Sequence, residues 1–331
     1  MNQIFRLPSI EDVRDAAAGI QPYAVRTPLM ESAFLNDRIG TRVLLKAEVL
    51  QRTGSFKFRG AYNCVSRIDR KAYPGGVVAC SSGNHAQGVA EAARLCEIPS
   101  TIVMPSDAPA IKVERTRRSG ADIIHYDRYA EDRDAIAAAL SKQKNAQFVA
   151  PFDNPHVIAG QGTVGLEIAE QAKLLGLELE AVLAPCSGGG LASGISLSME
   201  DAMPSCKIYT VEPDGFDDYA RSLKSGHREQ NAPDARSICD ALLTKKPGEL
   251  TFAIGEKRFG QGIVVPDDET RAAVAFAFNE LKLVVEPGGA IGLAALLAGH
   301  YRGSSQAIAV VLSGGNISAA MLSECLAAKQ G

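Results

Sequence analysis

The sequence predicts an α/β protein made of two open, mainly parallel α/β domains, and three observations carry that prediction. Short apolar runs alternate with amphipathic helical patterns along most of the chain, as parallel strands do when helices cover both faces of the sheet. Four apolar runs end in glycine-containing turns, "SSGNH", "CSGGGLASG", "VVEPGGA" and "LSGGN". The chain has 331 residues, a length that favours two cores over one.

In chain order, Ser9 and Asp12 read as a capping box. They open a helix whose apolar stripe is Ile10, Val13, Ala17 and Ile20. "RVLLKAEVL" (42–50) reads as a strand, and "TGSFKFRGAYN" (53–63) as a turn and a helix start. Ser55 is the expected N-cap there. Phe58, Ala61, Tyr62 and Val65 form the buried stripe of that helix. "GGVVAC" is a strand leading into "SSGNH", and a helix with Val89, Ala92, Ala93 and Cys96 on one face follows, ending near Pro99. "STIVMP" and "ADIIHY" are strands separated by the helix "IKVERTRRSG". The alternation resumes with "AVLAPCSGGG" (181–190), "CKIYTVEP" (206–213) and "AIAVVLSGGN" (307–316). The pattern places a small domain at 77–150 and a large domain at 1–76 plus 151–331.

Composition narrows the function. Hydrophobic residues make up 46% and charged residues 22% of the chain, as in soluble globular proteins. A net charge of -3 provides no basic excess for nucleic acid. No stretch approaches the roughly 20 apolar residues that span a bilayer, and "MNQIFRLPSIEDV" lacks a signal-peptide core. Seven cysteines without a CxxC pair suit a reducing compartment. A cytoplasmic protein is expected.

The turns carry the chemistry. Ligands of parallel α/β sheets bind at the carboxyl ends of strands, so the four turns can converge on one site. "APCSGGGLASGIS" runs from a strand through Ser187, Gly188, Gly189 and Gly190 into a helix. Backbone N–H groups and a helix N-terminus can close on a phosphate there, although a close-packed turn has the same composition. The run lacks the Gly-Lys-Ser/Thr of a Walker A loop. "ACSSGNHAQG" offers Ser81, Ser82, Asn84 and His85 to a carboxylate or oxyanion, or serves as an elaborate N-cap. Lys57 stands between Phe56 and Phe58 in a first helical turn, where the helix dipole disfavours a cation. No carboxylate lies three or four residues away. Its pKa should be depressed, and a neutral amine can form a Schiff base.

A reactive lysine together with a phosphate loop points to pyridoxal 5'-phosphate. The motifs "SFKFRGA", "SSGNHAQG", "SGGGL", "VIAGQGT" and "LSGGN" stand in that order. They resemble those of the fold-type II pyridoxal phosphate enzymes, most closely the serine/threonine dehydratase (threonine ammonia-lyase) and serine racemase family, over nearly the whole chain. The resemblance implies the tryptophan synthase beta-like arrangement, with the cofactor in the cleft between two α/β domains. It implies that Lys57 carries the cofactor and moves the Cα proton, and that Phe56 packs on its ring. Asn84 would bond the ring's phenolic oxygen, and Ser313 would face the pyridine nitrogen. Ser187, Gly188, Gly189, Gly190 and Leu191 would form the phosphate cup, with Ser81, Asn84 and His85 near the substrate carboxylate.

The implied reaction is β-elimination of a small β-hydroxy amino acid, L-threonine or L-serine first, to a 2-oxo acid and ammonia. A hydroxyl at position 313 makes the ring a weaker electron sink than a carboxylate would, which suits elimination more than transamination. Ser82 matches the racemases and hydroxyaspartate dehydratases, where many bacterial threonine dehydratases resemble "SAGNH". A hydroxyl there can exchange a proton on the face opposite Lys57, or merely bond the loop. Serine racemase and 3-hydroxyaspartate dehydratase are therefore alternatives, and a non-catalytic phosphate- or amino-acid-binding protein is an alternative of another class. Glu212, the Phe216 carbonyl and Asp218 lie in the acidic turn "TVEPDGFDDYARS". They read as a solvated turn or, as in racemase-like members, as a structural Mg2+, Mn2+ or Ca2+ site. Glu286 reads as a cap of the following helix or as a supporting residue. A homodimer acting on a small amino acid is the expected assembly.

Overall fold

The computed structural model describes residues 6–327 apart from 82, 109, 128–129 and 304–305. Its strands are β1 (Leu29–Glu31), β2 (Val43–Ala47), β3 (Val77–Cys80), β4 (Ser100–Pro105), β5 (Asp122–Tyr126), β6 (Gln147–Phe148), β7 (Leu179–Pro185), β8 (Lys207–Pro213), β9 (Ile263–Val265) and β10 (Ala307–Leu312). The helices of the first half are α1 (Ile10–Ile20), α2 (Ala33–Ile39), α3 (Lys57–Val65), α4 (Asn84–Leu95), α5 (Ala110–Arg118) and α6 (Arg133–Lys144). The second half adds α7 (Pro155–Leu174), α8 (Gly190–Ala202), α9 (Asp218–Ser225), α10 (Glu249–Arg258), α11 (Asp267–Asn279), α12 (Pro287–Leu297) and α13 (Ala319–Ala327).

Two sheets form. The larger has the order β1-β2-β10-β7-β8-β9 and the smaller β5-β4-β3-β6. Every pairing is parallel except that of β1 with β2. Strands β2, β3, β4 and β10 are buried along their whole length. That is why they read as continuous apolar runs and not as alternating ones. Lys46 in β2 is the charged exception. Its ammonium donates to Glu167 at 2.6 Å and to the Thr27 carbonyl at 2.7 Å.

Helix α3 lies where the two sheets meet. Phe58, Ala61, Tyr62 and Val65 pack into one core with Val77, Ala79, Val89 and Ile102 of the smaller sheet and its helices. Its opposite side touches α7 through glycines. A Cβ built on Gly60 would lie 2.7 Å from the Val157 carbonyl oxygen, and one on Gly160 2.6 Å from that of Arg59. Helix α7 meets α8 in the same way, since a Cβ on Gly194 would sit 2.5 Å from the Gly162 amide nitrogen. The glycines of "SFKFRGA", "VIAGQGT" and "SGGGLASG" thus allow three helices to cross with their backbones in contact.

Buried charge holds the same junction. The Arg59 guanidinium donates to both carboxylate oxygens of Glu48, each at 2.8 Å, and to Glu167 at 2.7 and 2.9 Å. Arg59 and Glu48 are inaccessible to solvent. Removing one partner of such a pair strands the other charge, at a cost of about 3–5 kcal/mol.

The first helix starts as expected, with Asp12 accepting the Ser9 N–H at 2.7 Å. The start of α3 does not. Phe56 is its N-cap residue, in helical conformation and without a side-chain cap bond. Ser55 instead forms a β-bridge with Gly314, and its buried hydroxyl has no hydrogen-bond partner among the described residues. The Phe56 N–H donates to the Ser313 carbonyl at 3.1 Å. A distant loop, and not a local cap, therefore sets the entry into α3.

Candidate active site

All four glycine-containing turns reach one cavity of about 300 Å³. It is lined by Ser81, Gly83, Asn84 and His85 from the first turn and by Ser187 to Leu191 from the second. Glu286 comes from the third and Ser313 from the fourth. Phe56 and Lys57 complete the wall. Ser82 lies outside the described residues.

Lys57 is the first residue of α3. Its ammonium donates to the Pro151 carbonyl at 2.9 Å and sits 5.1 Å from the centroid of the Phe56 ring. Burial pushes its pKa down to about 8, and Glu286 opposes that shift from a distance. A substantial neutral fraction therefore exists at mildly alkaline pH.

The glycine loop is built to present amides. Thr251 Oγ1 donates to the Gly188 carbonyl at 2.5 Å, and the Gly248 N–H donates to the same oxygen at 3.2 Å. That carbonyl is tied back into the protein, and the first amides of α8 have no intrahelical acceptor. Gly189 has φ +93°, in the left-handed region that favours glycine. A Cβ at Gly188, Gly189 or Gly190 would come within 2.4–2.5 Å of Phe152, Tyr219 or Gln161. Leu191 is buried beneath the loop. The Ser187 hydroxyl donates to Thr244 Oγ1 at 2.5 Å, which orients it at the loop's edge.

Asn84 links two turns to the site. Its Nδ2 donates to Glu286 Oε1 at 2.5 Å, and its Oδ1 accepts from Asn316 Nδ2 at 2.7 Å. A side-chain amide carries two N–H groups, so one remains for a ligand. Glu286 is the N-cap residue of α12, yet its side chain makes no capping bond. It faces the cavity instead, and burial raises its pKa to about 7, with Asp240 adding to the effect. From sequence it reads as a cap of the following helix or a supporting residue. A glutamate just before Pro-Gly-Gly gives no local sign that its partner is residue 84.

His85 lines the cavity as a neutral ring. Burial and then Lys57 push its pKa down to about 3. Its Nε2 lies 2.9 Å from the Val149 carbonyl, which assigns the proton to Nε2 and leaves Nδ1 as an acceptor. In this arrangement it has no N–H for a carboxylate. Ser81 offers an O–H instead, because its hydroxyl oxygen accepts the Gly83 N–H at 3.1 Å while its own proton stays available. Ser313 follows the last residue of strand β10 and lies on the cavity wall. Arg133, Lys112 and Asp240 also line the cavity and were not singled out from sequence.

Glu212, Phe216 and Asp218 stand apart from this cavity and are all buried. Glu212 accepts the N–H groups of Tyr219 and Ala220 at 2.9 and 2.7 Å. Asp218 accepts from Asn231 through Oδ1, and its Oδ2 has no hydrogen-bond partner among the described residues. Burial, then Asp218, raises Glu212 well above the carboxylate range, and burial lifts Asp218 to about 7. Among the described residues no group of three or more His, Cys, Asp or Glu is placed to hold a metal.

A part-neutral lysine facing an amide-lined loop across a cleft fits an aldehyde carried on a phosphate. Residues 20–314 match the family described as pyridoxal-phosphate dependent enzyme. The chain is 41% identical over 312 residues to an L-threo-3-hydroxyaspartate ammonia-lyase of Saccharomyces cerevisiae, covering 94% of both chains. It is 38% identical to an L-threonine ammonia-lyase of Thermotoga maritima, covering 95% of this chain and 77% of the relative. A solved structure of maize serine racemase matches with a TM-score of 0.91 at 37% identity, covering 96% of this chain and 97% of that one. The chain belongs to the pyridoxal-phosphate-dependent enzymes, in the fold-type II group, and its cofactor is pyridoxal phosphate.

The shifted lysine can be tested without cofactor. In the cofactor-free protein, amine acetylation of Lys57 should be half-maximal near pH 8, against about 10.4 for exposed lysines. Peptide mapping across the alkaline range measures it, and a Lys57 profile matching the surface lysines would contradict the burial argument. The linkage sign follows. With its folded pKa below its unfolded one, charged Lys57 costs stability at neutral pH, and that cost fades as pH rises from about 8 towards the unfolded value.

Proposed function

We propose that this chain is a lyase that removes water and ammonia from a small β-hydroxy amino acid, with L-threonine and L-serine the first substrates to try. One observation carries the reading: Lys57 and four strand-end turns share one cavity. The activities named for the yeast and Thermotoga relatives support it.

Bound pyridoxal phosphate supplies an aldehyde for the substrate amine and a ring that takes up the electron pair left at Cα. Everything else falls to the chain. The amides of Gly188, Gly189, Gly190 and Leu191, with Ser187, would hold its phosphate, and Phe56 would pack on its ring. Asn84 would offer its free N–H to the ring oxygen while Glu286 fixes the amide's orientation, and Ser313 would meet the ring nitrogen. Ser81 and the first amides of α4 receive the substrate carboxylate, with neutral His85 as a wall. The Lys57 amine takes the Cα proton at Nζ and passes it to the departing β-hydroxyl, which leaves as water. Hydrolysis then returns a water, so the amino acid becomes one 2-oxo acid and one ammonium. Ser82 is the proposed proton carrier on the opposite face, which keeps racemisation as a second reading, in line with the likeness to maize serine racemase.

The proposed domain division is 1–76 plus 151–331 and 77–150, with the cofactor between. A cytoplasmic homodimer is the proposed state, on the general symmetry of soluble oligomers. Among the described residues no helix is long and apolar enough to cross a membrane. Light scattering at about twice the monomer mass would support the dimer, and a monomer mass would contradict it.

For the reaction, the purified yellow protein should release 2-oxo acid from L-threonine or L-serine. Lys57→Ala should lose both the absorbance and at least about 1,000-fold in turnover. Enantiomer formation without any 2-oxo acid would contradict the lyase reading.

The cation completes the proposal. A divalent ion at Glu212 and Asp218, with the Phe216 carbonyl, would relieve two buried carboxylates that make no ion pair among the described residues. Mg2+, Mn2+ or Ca2+ should then raise the melting temperature, by an amount equivalent to about 2.7 kcal/mol at a hundredfold excess over Kd. The rise should vanish in Asp218→Asn, and an equal response of both proteins, or none, would contradict the site.

A further inference from the structure

The motif "VIAGQGT" gives its glycines to the helix crossings, while Gln161, its polar member in α7, has no part in the reaction above. Gln161 is inaccessible to solvent and lies between the two halves of the site. A Cβ built on Gly60, three residues after Lys57, would meet Gln161 Cγ at 2.9 Å. One on Gly190 of the glycine loop would meet Gln161 Oε1 at 2.5 Å. Gln161 Nε2 donates to the Pro151 carbonyl at 3.4 Å. The same oxygen accepts the Lys57 ammonium at 2.9 Å. Lysine and glutamine therefore share one acceptor.

Both ends of the amide are informative. The Nε2 bond is longer than an ordinary N–H···O bond. Oε1 is buried and has no hydrogen-bond partner among the described residues. Turning the amide over would set Oε1 against the Pro151 oxygen, acceptor on acceptor, so Nε2 is the atom that faces Pro151. Folded proteins rarely leave a buried polar atom unpaired. Methionine would fill a similar volume with no orphan oxygen, so packing does not explain the amide. Glutamate would bring a negative charge to the lysine.

The shared acceptor does explain it. While Lys57 is bonded to the cofactor, its nitrogen turns away from Pro151. With the cleft filled, water is kept from that carbonyl, and a carbonyl shut off from water needs a donor. Gln161 Nε2 is already aimed at it. When the amine is released to move the proton, the carbonyl receives it again. The charged neighbours leave this exchange free. Glu286, before α12, acts on Lys57 only from a distance and is bonded to Asn84. His85, in α4, is neutral, since burial and then Lys57 push its pKa down to about 3.

We propose that Gln161 is the positioning residue for Lys57. It donates to the Pro151 carbonyl while the lysine is bonded to the cofactor and yields that carbonyl to the released amine. Being neutral, it leaves the amine without a fixed counter-charge. This rests on the reading of Lys57 as the cofactor's lysine and adds the residue that lets it exchange.

The test compares wild type with Gln161→Glu and Gln161→Met in two measurements that need no turnover. The first is the pH dependence of Lys57 acetylation in the cofactor-free protein. Its midpoint, near pH 8 in wild type, should rise by about one to three pH units in Gln161→Glu, where a carboxylate holds the ammonium. In Gln161→Met it should stay near that of wild type. The second is pyridoxal phosphate affinity, titrated by absorbance. It should fall roughly 10-fold in Gln161→Met, the scale of one carbonyl left without a donor. A glutamine that only packs between helices would lower the melting temperature of both variants and leave midpoint and affinity alone. An unchanged affinity in Gln161→Met would overturn the assignment even where Gln161→Glu does not fold. So would an unchanged midpoint in a folded Gln161→Glu. If borohydride reduction fixes the cofactor to another lysine, the reading of Lys57 fails instead, and the acetylation midpoints still decide whether Gln161 acts on Lys57.

Discussion

Backbone contact between helices is the constraint on which the site depends. Gly60 and Gly160 let α3 rest against α7, and Gly162 and Gly194 let α7 rest against α8. Lys57 stands at the N-terminus of α3 and the glycine loop at the N-terminus of α8. The lysine-to-loop separation is therefore set by two crossings with no side chain between them. Close packing leaves such crossings little freedom to shift. The buried pairing of Arg59 with Glu48 and Glu167 pins the same helix two residues after the lysine.

A second consequence concerns charge. Among the described residues Lys57 has no carboxylate in contact, and burial brings its pKa down to about 8, while burial raises Glu286 to about 7 on the other side of Asn84. The two groups sense each other without pairing. A direct salt bridge would hold the amine as an ammonium and remove the nucleophile. Asn84 lies between them in function, donating to Glu286 and accepting from Asn316, which in turn donates to the Thr53 carbonyl. The turn before the lysine and the turn before α4 are thereby joined in one network.

Much of this was legible in sequence. The alternation of buried strands and helices located β2, β3, β4, β7, β8 and β10, because strands buried on both faces read as unbroken apolar runs, and the same alternation located β5 although it is buried only at Tyr126. β1, β6 and β9 have two or three residues each, too short to leave a pattern. The convergence of the four turns followed from the parallel-sheet rule. What stayed hidden was non-local. Ser55 looked like a cap, but its neighbours are Ser313 and Gly314 from the far end of the chain. Glu286 looked like a cap, but its partner is Asn84. Arg133 and Lys112 lie in ordinary polar helix starts, and only the folding of the smaller sheet's carboxyl edge over the cleft brings them to the cavity.

The account's central claim is that this geometry makes Lys57 the residue that carries the cofactor. Borohydride reduction of the yellow protein fixes the cofactor to whichever lysine holds it, and peptide mass mapping then locates it. The account predicts the phosphopyridoxyl group on Lys57 alone. Its recovery on another lysine, or on none, would contradict it.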